Sequence, residues 1–267
     1  MRKTFLLLLA GLLAIASAYG RQKVEEKRGV APFSVINVVD NIDVVYEQGP
    51  SYSVRLTGSA EALEQVDVSV NGKSLNIRTK DYAPNGFGGV YIEMSKAKPA
   101  NVTVYVTAPD VKAFNQAGSG RVRVDKMSTQ SVSFNLAGSG RVEVGQLSGD
   151  KASFNLAGSG NMSLGDMSVK KLNLSLSGSG HVEAHASGAT SLACNAIGTG
   201  SIDVSGTVDT YSRVTIGGAT INDGSLKYAT MTNSTTTNSS VYYDDYGSGS
   251  ARHGDSPRSV DGIVVNP

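Results

Sequence analysis

His181, Glu183 and His185 stand at alternate positions of the chain. On a β-strand that spacing sends all three side chains to one face, and two imidazoles flanking a carboxylate are donors that zinc accepts. If successive coils stack in register, Glu183 also lies beside Ser163 and Asp203, and two neighbouring carboxylates favour a cation. His181, Glu183 and Asp203 are therefore the candidate cation ligands. Geometry argues against one ion shared by both histidines, because four strand residues separate their backbones by roughly 13 Å. A solvated polar face is the simpler reading of the same residues.

A second constellation is Tyr242, Tyr243 and Tyr246, with Asp244, Asp245, Arg252 and Asp255 close in sequence. Tyrosine offers a broad ring with a polar edge, so these three are candidate contacts to sugar rings. Closely set acids beside a base are also what a polysaccharide lyase or hydrolase needs. Aromatic packing of a last coil explains the tyrosines without any ligand. Arg121, Arg123, Arg141 and Glu143 form an outward charge group, most simply a solvated surface.

The recurrent glycines suggest phosphate or calcium loops, and both fail on inspection. A phosphate loop needs a Lys-Ser/Thr pair and a following helix, which the Gly-Ser-Gly units lack. Calcium-binding nonapeptides need Gly-Gly-x-Gly-x-Asp. No catalytic or cofactor-binding residue is assigned, and no cofactor is expected.

What must position these residues is a repeat. Gly-Ser-Gly recurs every 20 residues at 118–120, 138–140, 158–160 and 178–180, and Gly198-Thr199-Gly200 follows. Within one unit Val132, Phe134, Leu136, Val142 and Val144 alternate with polar residues, the pattern of a half-buried strand. Both glycines of the corner share the inward parity and imply a bend, with the serine outside. A unit of this size cannot bury its apolar face alone, so the units must stack. Parallel pairing of equivalent strands, with right-handed connections, predicts an all-β, right-handed parallel β-helix-like solenoid with 20-residue coils. Asn115, Asn135, Asn155 and Asn195 then form one column interrupted by Ser175, read as an amide ladder. Met127, Leu147 and Met167 form another, and Cys194, at a phenylalanine position, reads as a buried core residue.

The ends are less regular. Met1-Arg2-Lys3-Thr4, an apolar run of about 11 residues from Phe5 to Ile15, and Ala16-Ser17-Ala18 predict a secretory signal peptide over residues 1–18. Residues 19–29 read as a short linker and 30–108 as an irregular β cap on the N-terminal side. Regular coils are expected over 109–227 and degenerate ones over 228–265. In the cap, Asn71-Gly72 predicts a hairpin and residues 59–66 a short helical turn. The 24 lysines and arginines against 23 acids fall to 22 against 23 without the signal. That balance offers nothing to nucleic acid, and one cysteine excludes an internal disulfide framework.

The opening Pro32-Phe33-Ser34-Val35-Ile36, the segment from Ile42-Asp43-Val44 to Gln48-Gly49 and the serial Gly-Ser-Gly-x-Val units resemble one bacterial family, the putative auto-transporter adhesin, head GIN domain family of Bacteroidetes type. The resemblance covers about residues 30–265. It implies an exported β-helix-like fold with an adhesive role and supplies no motif-defined catalytic residues. Thr199 in place of serine and the degraded rhythm after residue 217 depart from the pattern.

The functional expectation is thus an exported, non-enzymatic β-helix, an adhesin or envelope surface-binding or structural module. Its location would be the periplasm, the outer membrane or the extracellular space, with no integral membrane segment once the signal is removed. The expected partner is a cell-surface glycan or protein, and self-association into a homo-oligomer is an alternative. A carbohydrate-binding module or polysaccharide-active β-helix enzyme, using the tyrosine-rich end, is the competing reading.

Overall fold

Alternating apolar residues, β-branched or aromatic, bend at glycine and stack on their own repeats. The computed structural model describes residues 23–80, 102–237 and 264–265. The N-terminal part contains β1 (Val24–Arg28), β2 (Val35–Val39), β3 (Asp43–Gln48), β4 (Ser53–Gly58), α1 (Ala60–Glu64), β5 (Val66–Asn71), β6 (Ser74–Thr79), β7 (Thr103–Ala108) and β8 (Ala113–Gly118). The coils follow as β9 (Arg121–Gly138), β10 (Arg141–Gly158), β11 (Asn161–Gly178), β12 (His181–Gly198), β13 (Ser201–Gly217) and β14 (Thr220–Thr237), and β15 (Val264–Val265) returns antiparallel onto β14.

Each of β9 to β12 is a whole coil, interrupted only at the corner, and each pairs in parallel with the next, at a 20-residue offset throughout from β9 to β10 and β11 and with shifts to 19 between β11 and β12 and between β12 and β13. Burial alternates within a coil, skips one inward position at the first glycine of the corner without changing parity, and slips phase near Gly145–Gln146 and near Asp150–Lys151, so three faces enclose the core. Val142 and Val144 line one face, Leu147 the second, and Ala152, Phe154 and Leu156 the third. Leu147 stacks between Met127 and Met167. The rings of Phe114, Phe134 and Phe154 stack with centroids 4.5 and 5.0 Å apart.

The corner glycines divide the work differently from the parity expectation. Only the second is buried, as at Gly140; the first, Gly138, lies at the outside of the bend. Gly138 has φ +120°, and a Cβ there would lie 2.6 Å from the Gly118 carbonyl oxygen of the coil before. Both the dihedral and the close approach exclude other residues.

The N-terminal segment joins the solenoid more closely than its sequence suggests. β2 pairs in parallel with β8 and β3 with β9, so these two strands form a coil in step with the rest. Its corner is Asp40-Asn41-Ile42, with Asp40 at φ 76° in the place of the first glycine. Aspartate is among the few residues that enter this region with tolerable strain, which hides the corner from a search for glycine. Residues 24–28, expected within a linker, form β1 on β4; their run of Glu-Glu-Lys-Arg lacks an apolar face because an edge strand needs none. The hairpin β5–β6 turns at Gly72, and Ser59 caps α1 by accepting from the Ala62 N–H. The signal segment 1–18 lies outside the described residues.

Candidate functional site

Two outward faces carry the side chains that could meet a partner. On the face that follows the corner, His181 is in register with Asn161 and Ser201, and Glu183 with Ser163 and Asp203. A register shift after Leu164 brings His185 opposite Asp166. The two imidazoles engage separate serines of the following coil: His181 Nδ1 is 2.8 Å from Ser201 Oγ and His185 Nδ1 is 3.0 Å from Ser205 Oγ. His181 Nε2 lies 3.6 Å from Asp203 Oδ2, and Asp203 accepts a further bond from the Asn222 amide. Among the described residues no three of His, Cys, Asp or Glu gather closely enough to hold a metal ion. The candidates are therefore brought onto one face, where His181 and Asp203 are engaged by each other and by their neighbours along the axis and Glu183 stands in register between Ser163 and Asp203.

Towards the N-terminal end the same face becomes charged. Glu143 is shared by Arg121 at 3.4 Å and Arg141 at 3.8 Å, and Arg123 pairs with Asp125 at 2.7 Å. Asp125 holds the Arg123 guanidinium above its ordinary value through a hydrogen bond. Such solvent-facing pairs add little stability.

The second face ends at the corner and carries the asparagine column. Asn155 donates to Asn135 at 2.8 Å, Asn135 to Asn115 at 2.7 Å, Asn115 to Asn37 at 2.8 Å and Asn37 to Asn76 at 2.9 Å. The column seen in the repeats thus extends two members beyond them. Beside it runs Val39, Ala117, Ala137 and Ala157, then Ser177. Between these columns the surface sinks into a groove of about 410 Å³. Sequence reasoning missed this groove, although a small residue preceding each Gly-Ser-Gly was its signal.

Cys194 is fully buried, and burial, followed by the nearby Asp223 charge, pushes its thiol up to about 12. A thiol so protonated is neither nucleophile nor metal ligand. Tyr242, Tyr243 and Tyr246, with Asp244, Asp245, Arg252 and Asp255, lie outside the described residues.

Comparison with known proteins agrees with this architecture. The model of the family described as putative auto-transporter adhesin, head GIN domain, matches residues 32–225. A crystal structure of a putative lipid binding protein from Parabacteroides distasonis ATCC 8503 is similar with a TM-score of 0.60 and 20% identity, over 77% of this chain and 96% of that one. A putative adhesin from Bacteroides fragilis NCTC 9343 is similar with a TM-score of 0.50 and 16% identity, over 80% of this chain and 98% of that one. These likenesses show the fold. No curated protein matches the chain.

Proposed function

The chain belongs to the putative auto-transporter adhesin, head GIN domain family, and from that premise we propose that it is an exported, non-enzymatic adhesin whose solenoid faces bind a target at the cell surface. The carrying observation is the asparagine ladder, five side chains in unbroken contact along the solenoid axis. A column that repeats one chemistry at each strand spacing suits an extended target better than a small substrate. The charged side chains of the neighbouring face are engaged with one another, as Glu143 is with two arginines. That arrangement supports a surface role. No helix among the described residues is long and apolar enough to cross a membrane, and the expected signal peptide would direct export.

The test is protease treatment of intact cells producing the full chain, combined with retention of the purified protein on washed cells. Digestion without lysis of the inner membrane, together with saturable retention, is the expected result. Protection until the cytoplasm is opened, or release of new sugar ends when the pure protein meets a panel of surface glycans, would overturn the reading.

A further inference from the structure

On the corner-side face each asparagine and the residue two places later both point outward. Asparagine reaches out from the sheet; alanine does not. The result is the groove beside the ladder, floored by Val39, Ala117, Ala137 and Ala157. At the N-terminal end it continues into a hollow of about 330 Å³ that shares Asn37 and Val39 and includes Asn76. At the other end the floor column passes through Ser177 to Ile197 and Ile216, which are 46% and 39% exposed and stand as a ridge across its path. From Asn76 to Ser175 the groove crosses five strand spacings, roughly 24 Å.

An amide has two donors and two lone pairs. The ladder uses one of each at Asn37, Asn115 and Asn135, which leaves one N–H and one lone pair per rung for a ligand. None of the residues lining the main groove is ionisable, and Arg78, which lines the hollow at its N-terminal end, is paired with Asp67 at 3.1 Å, so a charged polymer gains little there over a neutral one. The rungs repeat every 4.8 Å or so, whereas an extended peptide advances about 3.3 Å per residue and drifts out of step. A linear chain of pyranose rings joined through equatorial bonds has a repeat close to that of the rungs. Its edges carry hydroxyl groups that both donate and accept, and its C–H faces match a floor of methyl groups.

We propose that this groove binds a neutral, linear, equatorially linked glycan lying along the solenoid axis. The proposal rests on the adhesive reading and names the class of target. The ridge at Ile197 and Ile216 limits the bound length to the span of the asparagine rungs.

Calorimetric titration of the full chain with β-1,4-linked glucohexaose and mannohexaose tests it, with α-1,4-linked glucohexaose as the control for ring linkage. Binding of at least one β-linked hexaose, at least tenfold tighter than the α-linked one, is expected. Ala137→Ile with Ala157→Ile should weaken it at least tenfold, because the side chains fill the groove. Ile197 already occupies the same column, so the backbone accepts isoleucine there, and an unchanged melting temperature verifies folding. Asn135→Asp supplies a second variant, which removes donors without filling the groove and should also weaken binding. Absence of binding to both β-linked hexaoses, equal binding of the α-linked chain, or binding untouched by the filled groove would overturn the proposal. Retention on cells in the same preparations separates the two failures: if it persists, the adhesive reading stands and the groove assignment falls.

Discussion

The coils β9 to β12 and the coils β13 to β14 follow one chain path and bury different interiors. In the first group the third face stacks Phe134 and Phe154 and then passes in register to Leu174 and Cys194. In the second, β13 runs one residue short after Ser187, and the same column reaches Arg213, which pairs with Asp223 at 2.9 Å. Tyr211 takes the place under Leu192, fully buried, with its hydroxyl beside Cys194 and Asp223 and without a hydrogen bond of normal geometry. Burial raises its phenol well above the ordinary range. The contrast shows what carries the regularity of the stack. Like side chains at a constant offset propagate identical coils, and a shrinking column followed by an inward ion pair lets β14 stack on β13 without the apolar column of the earlier coils.

The comparison can be broken most directly at the glycines. Gly138→Ala places a methyl 2.6 Å from the Gly118 carbonyl in a backbone at φ +120°. The expected loss is about 3 kcal/mol, from dihedral strain and the displaced neighbouring coil, read as a lowered urea midpoint. Gly224→Ala in β14 meets nothing within 4 Å and should change stability by no more than about 0.5 kcal/mol. Equal costs would show that the regular corner is no tighter than the decayed coil.

A smaller effect tests the polar terminus of the core. Burial pushes the Cys194 thiol up to about 12, above an ordinary thiol near 8.5. Below the ordinary value both folded and unfolded chains keep the proton, and the full stability is present. As pH rises past it the unfolded chain ionises first, so stability falls towards the folded value at about 1.4 kcal/mol per pH unit. Urea melts at pH 8 and pH 10 under reducing conditions should show the native protein losing about 2 kcal/mol more than Cys194→Ala over that interval. Parallel losses in the two proteins would mean that the thiol reaches solvent.

The period and parity of the repeat made the solenoid legible, because each Gly-Ser-Gly corner and each inward Phe or Leu states the same geometry again. What escaped was written in other residues. Asp40 supplies a corner without glycine, and β1 is an edge strand without apolar alternation. The bulge after Leu164, which turns His185 towards Asp166 instead of Gly165, depends on how two coils settle against each other, and spacing within either coil is silent about it. The asparagine column was visible over the repeats. Its continuation to Asn37 and Asn76 required long-range pairing of β2 with β6 and β8. The groove escaped because it is formed by what alanine lacks.

The smallest expected effect concerns that ladder, and it compares the two regions rung by rung. Asn135 donates to Asn115 and accepts from Asn155, whereas Ser175 interrupts the column before Asn195. Each amide bond exchanges with water in the unfolded chain, so its net worth is about 1 kcal/mol. Asn135→Ala should therefore cost about 1–2 kcal/mol and Asn195→Ala no more than about 0.5 kcal/mol. Because Asn135 and Asn155 share one hydrogen bond, the double variant should cost less than the summed single variants, with a coupling of about 0.5–1 kcal/mol. Strict additivity would show that the amides stand side by side without reinforcing one another. Each rung would then stabilise the stack beneath it on its own, with no coupling along the column.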